Sequence, residues 1–217
     1  MRTISFFLFT LAISLSVNFI PGKPTGAFQH SQDIGKPKLA GSSTYNEVTK
    51  EYRLKGSGYN IWFARDEFQF LFKEISGDFT VTADFEFVGA GTDPHRKVGW
   101  MVRESLTDDA AHISAVAHGD GLTVLQWRVK KGMAMRDPED EIFSSEKSVQ
   151  TIQVERKGDE YTMRVAKKGE ALQTVGSHKM PDLSSPLFVG LYICSHNPEK
   201  VEEAIVRNVQ LVRLNPD

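Results

Sequence analysis

Cysteine is nearly absent: the 217 residues include one, Cys194. A single thiol forms no internal disulfide, so the fold must rest on its core alone. Cys194 sits in a strand-like segment, where a small buried apolar side chain is the simplest role for it. An excess of one charge is also lacking. Twenty-six Lys and Arg stand against 28 Asp and Glu, for a net charge of −2. That balance gives no electrostatic reason to expect nucleic acid or an anionic membrane surface as partner. Several catalytic signatures are missing: there is no HExxH, no His/Cys zinc spacing, no phosphate-cradling glycine loop and no Ser-His-Asp signature turn. Amphipathic helical periods are missing too; the stretch from Glu104 to Ala111 would support one turn. A long apolar run occurs once, from Ile4 through Ile20, diluted by Ser14, Ser16 and Asn18 and closed by Pro21-Gly22. It is short for a membrane span and reads as an export signal within residues 1–22. No cysteine stands at its end, which excludes a bacterial lipid anchor there. The expected location is periplasmic or extracellular, with no transmembrane helix in the mature form.

What remains is strand after strand. A polar lead, residues 23–43, shows no periodicity, and a single domain is expected over 44–217. "EFQFLFKEI" puts Phe68, Phe70 and Phe72 on one face, and "DFTVTADFEFV" puts Phe79, Val81, Ala83, Phe85 and Phe87 on one face. Ser76-Gly77-Asp78 between them is a turn signal. In "KVGWMVR", Val98, Trp100 and Val102 oppose Gly99, Met101 and Arg103. Further strands follow in "SVQTIQVER", "YTMRVAKK", "PLFVGLYICS" and "EEAIVRNVQLVRL". Ten to twelve short strands at this spacing predict an all-β fold, a two-sheet antiparallel β-sandwich.

The stretch "HISAVAHGDGLTVLQWR" reads as a hairpin. With Gly119-Asp120-Gly121 as a three-residue loop, His112 faces Arg128, Ser114 faces Gln126 and Val116 faces Val124. Ile113, Ala115, Ala117, Thr123, Leu125 and Trp127 then form the core side. A two-residue turn would slip the register and mix the two sets.

"GSGYNIWFARDEFQFLFKEISGDFTVTADFEFVG", "KVGWMVRESL" and "LTVLQWR" together resemble the concanavalin A-like jelly-roll modules of exported bacterial proteins. Relatives of those modules include the "regulation of enolase"-like group and the modules in front of TolB-type propellers. The resemblance covers about Asp33 to Arg213. It implies a jelly roll and export, and it points to sugars on a concave sheet face. The chain stops at Asp217, so the propeller of the longer architecture is not expected.

Three places are candidates for chemistry. The first is the polar face that Arg103, His112, Ser114, Gln126 and Arg128 would share. Guanidinium forks with neutral donors and acceptors suit hydroxyl-rich or carboxylate-bearing ligands. The bland alternative is a solvated sheet face with its own cross-strand pairs. The second is the rim loop "GTDPHRKVGW", carrying His95 and Arg96; an ordinary charged loop is the alternative. The third is "MRDPEDEIF", whose Asp137, Glu139, Asp140 and Glu141 could offer oxygens to Ca²⁺ or face a bound sugar. It lacks EF-hand spacing and reads more simply as a solvated acidic loop, so no cofactor is expected. A laminarinase-type glycosidase would need three alternating carboxylates, and only Asp84 and Glu86 alternate.

The leading expectation is therefore an exported module that binds carbohydrate or another polar small molecule on a concave His/Arg face, without a recognised catalytic motif. A carbohydrate-active hydrolase or lyase on the same face is the alternative. A structural or protein-interaction module of the cell envelope, with a protein partner, is the third reading.

Overall fold

The computed structural model describes residues 26–214, and the expected export segment lies outside them. Fourteen strands follow one another: His30–Ile34 (β1), Ser42–Asn46 (β2), Glu51–Gly56 (β3), Phe68–Ile75 (β4), Phe79–Phe87 (β5), Lys97–Arg103 (β6), His112–His118 (β7), Thr123–Arg128 (β8), Glu141–Phe143 (β9), Thr151–Lys157 (β10), Glu160–Ala166 (β11), Gln173–Lys179 (β12), Leu187–Cys194 (β13) and Glu202–Arg213 (β14). No helix occurs among the described residues. Two seven-stranded sheets result, ordered β1-β4-β13-β6-β7-β8-β9 and β12-β11-β10-β5-β14-β3-β2. Every pairing is antiparallel. The fold is the expected two-sheet β-sandwich.

Alternation explains the core. β5 buries Phe79, Val81, Ala83 and Phe85 between the sheets and turns Thr80, Thr82 and Asp84 outward. From the first sheet, Val98, Trp100, Val102, Ile113, Ala115, Leu125 and Trp127 enter the same core. Trp100 donates its indole N–H to the Ile152 carbonyl at 3.1 Å, and its ring meets Phe85 nearly perpendicularly, with centroids 6.2 Å apart. The hairpin register is the expected one: His112 pairs with Arg128, Ser114 with Gln126 and Val116 with Val124. Gly121 takes the left-handed conformation (φ 86°) that the three-residue loop requires.

Three strands escape the sequence pattern. β1 lies inside the polar lead and pairs with β4, placing Ile34 opposite Phe68. β9 has three residues and β12 is a largely exposed edge strand, so neither carries a readable apolar period.

The outer face of the first sheet departs from a simple wet face. β6 and β8 are buried along their whole length and β7 nearly so. Residues 57–67 cross this face as a strap. Beneath it Ile61 joins a second apolar cluster with Phe68, Phe70, Met101, Val116 and Tyr192. One carboxylate pins the strap. Asp66 receives two hydrogen bonds from Arg128, Nη1 to Oδ2 at 2.8 Å and Nη2 to Oδ1 at 2.5 Å, and a third from Arg103 at 3.3 Å. All three side chains are fully buried. Arg128 also donates to the carbonyls of Phe63, Ala110 and Met133, and Arg103 to those of Ser105 and Thr107. The neighbouring His112 is completely enclosed. Burial first, then the two guanidiniums, hold its pKa well below the ordinary value, so the ring is neutral.

Two outcomes follow from this network. Asp66→Asn leaves two buried guanidiniums without their counter-charge and is expected to cost about 3–5 kcal/mol in urea denaturation. His112 is neutral when folded but free to protonate near pH 6.5 when unfolded. Its contribution is complete above about pH 6.5 and declines below it by about 1.4 kcal/mol per pH unit. Urea melts of His112→Gln between pH 7 and pH 5 should therefore lose stability less steeply than the wild type by that amount; equal slopes would refute it.

Candidate functional site

The strap covers only part of the sheet. Beyond it a groove of about 250 Å³ stays open. Its floor comes from alternate residues of three strands: Lys97 at the start of β6, His118 at the end of β7 and Gln126 in β8. Lys97 and His118 are register partners, which fixes them side by side. Asn60 and Trp62 of the strap form one wall. Asp137, Glu141 and Phe143 form another, because β9 pairs with β8 and sets Glu141 opposite Gln126 and Phe143 opposite Val124. His95 and His196 close the end, their ring centroids 5.7 Å apart, and His95 lies 6.1 Å from His118.

His196 takes φ 60°, a left-handed conformation that non-glycine residues adopt at an energetic cost. Ser195 supports that turn, donating to the Asn197 carbonyl at 2.7 Å and accepting from the Asn197 N–H at 3.2 Å.

The polar groups of this groove are not satisfied by one another. Gln126 Nε2 and His118 Nδ1 are buried without a hydrogen-bond partner among the described residues. Burial, with Lys97 next, pushes His118 down to about 2 and His196 down to about 4. Both rings are thus neutral at ordinary pH, each able to donate at one nitrogen and accept at the other. Burial also lowers Lys97. Glu141 moves the other way: burial and the adjacent Asp137 carboxyl raise it to about 7.

The residues singled out from sequence divide between the groove and the surrounding framework. Gln126 and His95 line the groove. Arg103, His112 and Arg128 share one face of the sheet as expected, but the strap seals them from solvent, and Ser114 is buried beside them. Their hydrogen bonds are directed to Asp66 and backbone carbonyls, which makes them fasteners of the strap. Arg96 is buried at the end of the sandwich. It donates to Glu202 at 2.5 Å and to the Gly89 carbonyl at 2.9 Å, and covers the Phe87 ring at 4.1 Å. A second hollow of about 370 Å³ opens there, but its cation is already paired. In the acidic loop, Asp140 is taken by Arg136, while Asp137 and Glu141 face the groove. No cluster of three metal-ligating side chains occurs among the described residues. Asp84 and Glu86 lie on the outer face of the other sheet, held by Thr151, Asn208 and Arg207. Cys194 is fully buried and its thiol is raised to about 11, an inert position.

Sequence reasoning missed Lys97, Trp62 and the strap. Lys97 was within reach, since the alternation of Gly99, Met101 and Arg103 continues back to it. Trp62 stands in an irregular segment where no period assigns a face.

Neither a protein-family model nor a curated protein sequence matches the chain. Solved structures do. A functionally unknown protein from Saccharomyces cerevisiae superposes with a TM-score of 0.61 at 18% identity, over 86% of this chain and 97% of that one. A legume lectin-like domain from Entamoeba histolytica gives 0.53 at 7% identity, over 86% and 90%. The Bacteroides ovatus protein "Xyloglucan PUL GH43B" gives 0.57 at 14% identity; 94% of this chain is covered, spanning 42% of the larger protein. At such identities the likeness concerns architecture alone, and the architecture is a concanavalin A-like jelly roll.

Proposed function

We propose that this chain is an exported jelly-roll module that binds carbohydrate in the groove between the strap and β9. The observation that carries the reading is an open groove floored by Lys97, His118 and Gln126, with Gln126 Nε2 buried and unpartnered among the described residues, and walled by the Trp62 and Phe143 rings. A buried polar atom without a partner costs free energy unless a ligand supplies one. Neutral imidazoles and amides match sugar hydroxyls, which donate and accept at one oxygen, and aromatic rings pack against the apolar faces of sugars. The apolar run at the N-terminus supports export. The resemblance to modules that include the "regulation of enolase"-like and TolB-associated groups supports an envelope or extracellular setting. The names of two structural neighbours, a legume lectin-like domain and "Xyloglucan PUL GH43B", agree with the ligand class.

Calorimetric titration of the mature domain against a neutral and acidic oligosaccharide panel tests the reading. Saturable binding is expected, weakened about tenfold by Trp62→Ala and about three- to tenfold by Gln126→Ala, with melting temperatures nearly unchanged. Absence of binding by every glycan would overturn it.

A catalytic use of the same groove is favoured by one feature. Glu141, raised to about 7 beside Asp137, is a carboxyl group that both gives and takes protons near neutrality. If Glu141 serves as a general acid, product release from a bound polysaccharide falls as pH rises through about 7. Glu141→Gln then abolishes release while leaving affinity within about threefold. Binding without release at any pH from 5 to 8 would exclude catalysis.

A further inference from the structure

The buried cations of the first sheet are treated unequally. Arg96 meets Glu202, and Arg103 and Arg128 meet Asp66. Lys97, equally buried at 4% exposure, meets no carboxylate within ion-pair distance among the described residues. Its ammonium group makes one long hydrogen bond, 3.3 Å to the His95 carbonyl. An ammonium group has three donors, and a buried one without a counter-charge is among the costlier arrangements in a folded protein. The cost is avoidable, since a Lys at a strand end can extend its head to water. Here it points into the groove instead.

The surroundings narrow what answers that charge. The imidazoles of His118 and His196 are neutral, so among the described residues Lys97 is the cation of the groove floor, and burial lowers it too. It lacks a guanidinium fork or a second cation beside it, which would suit a doubly charged phosphate. Asp93, Glu141 and Asp120 act on Lys97 electrostatically, but none reaches ion-pair distance among the described residues. Asp93 is engaged at the rim, accepting the His95 backbone N–H at 2.7 Å and lying 3.6 Å from His196 Nδ1. Glu141 of β9 and Asp137 just before it form the wall across the groove; the charges of Glu141 and Lys97 act on one another across it without an ion-pair contact. The groove therefore holds an unpaired ammonium group on its floor and carboxyl groups on its rim and on the β9 side. Deeper under the strap, one Asp66 faces two guanidiniums, and Arg128 is two residues from Gln126 along β8, about 7 Å.

We infer that the groove takes an acidic saccharide, with Lys97 receiving a singly charged group on the sugar ring, a uronate carboxylate or a sulfate ester, and the β9 wall meeting its hydroxyls. This rests on the carbohydrate reading of the groove and goes beyond it in naming the ligand class and the residue that selects it.

The test compares two acidic ligands with an uncharged one. Tetragalacturonate, its fully methyl-esterified form and a sulfated galactan tetrasaccharide are titrated into the mature domain at low salt and at 0.3 M NaCl. At least one acidic ligand should bind ten times or more tighter than the neutral ester, with the advantage shrinking at high salt. Which of the two binds identifies the carboxylate or the sulfate as the charge received. Lys97→Met should abolish the preference, bringing affinity for the acid down to that for the ester. Should that variant fail to fold, the acid-to-ester ratio in the wild type decides alone. Binding of both acidic ligands no tighter than the ester, or a preference that survives in Lys97→Met, overturns the inference while the carbohydrate reading stands. No binding by these ligands or by any neutral glycan removes both.

Discussion

The structure depends on one buried carboxylate. Asp66 joins an irregular segment to a sheet that would otherwise face water on that side. Its partners, Arg103 and Arg128, come from strands β6 and β8, with β7 between them, so the network ties three adjacent strands and the strap into one unit. The ion pairs alone are a weak argument for stability, because desolvation opposes the attraction. What they supply is position: charged groups that must find one another in an apolar layer allow one placement of the strap. The apolar cluster around Ile61, Phe68, Met101 and Tyr192 then closes under it.

That placement divides the polar face into two halves with different chemistry. In one half every guanidinium nitrogen but Arg103 Nη1 finds an acceptor, and water is excluded. In the other half a lysine, two neutral imidazoles and an amide are left facing a groove. The carboxyl groups of the β9 wall complete it from the opposite side. The same alternation builds both halves, and only the reach of the strap distinguishes framework from site.

Periodicity made much of this legible. The aromatic alternation of β4 and β5, the Trp100 strand and the hairpin register around Gly119-Asp120-Gly121 all follow from side chains pointing alternately to two faces. The same rule put Arg103, His112, Ser114, Gln126 and Arg128 on one face, which is where they are. It could not tell whether that face is open. The strap has no period, and Asp66 is joined to its partners by contacts 37 and 62 residues apart in sequence. β9 was too short to read, so Glu141 seemed part of a solvated loop until its pairing with Gln126 placed it on the groove wall.

The pinned strap also sets how the groove meets a ligand. Met135 donates to the Trp62 carbonyl at 2.9 Å and Glu67 to the Asn60 carbonyl at 2.9 Å, so the residues forming that wall are held by their own backbone. A wall fixed in advance loses little conformational freedom on association, and that entropy need not be recovered from contacts. If the groove binds a chain as proposed, such a surface acts as a gauge, admitting ligands of the right width without rearrangement. Among ligands that fit, differences in affinity then lie mainly in how long each stays bound.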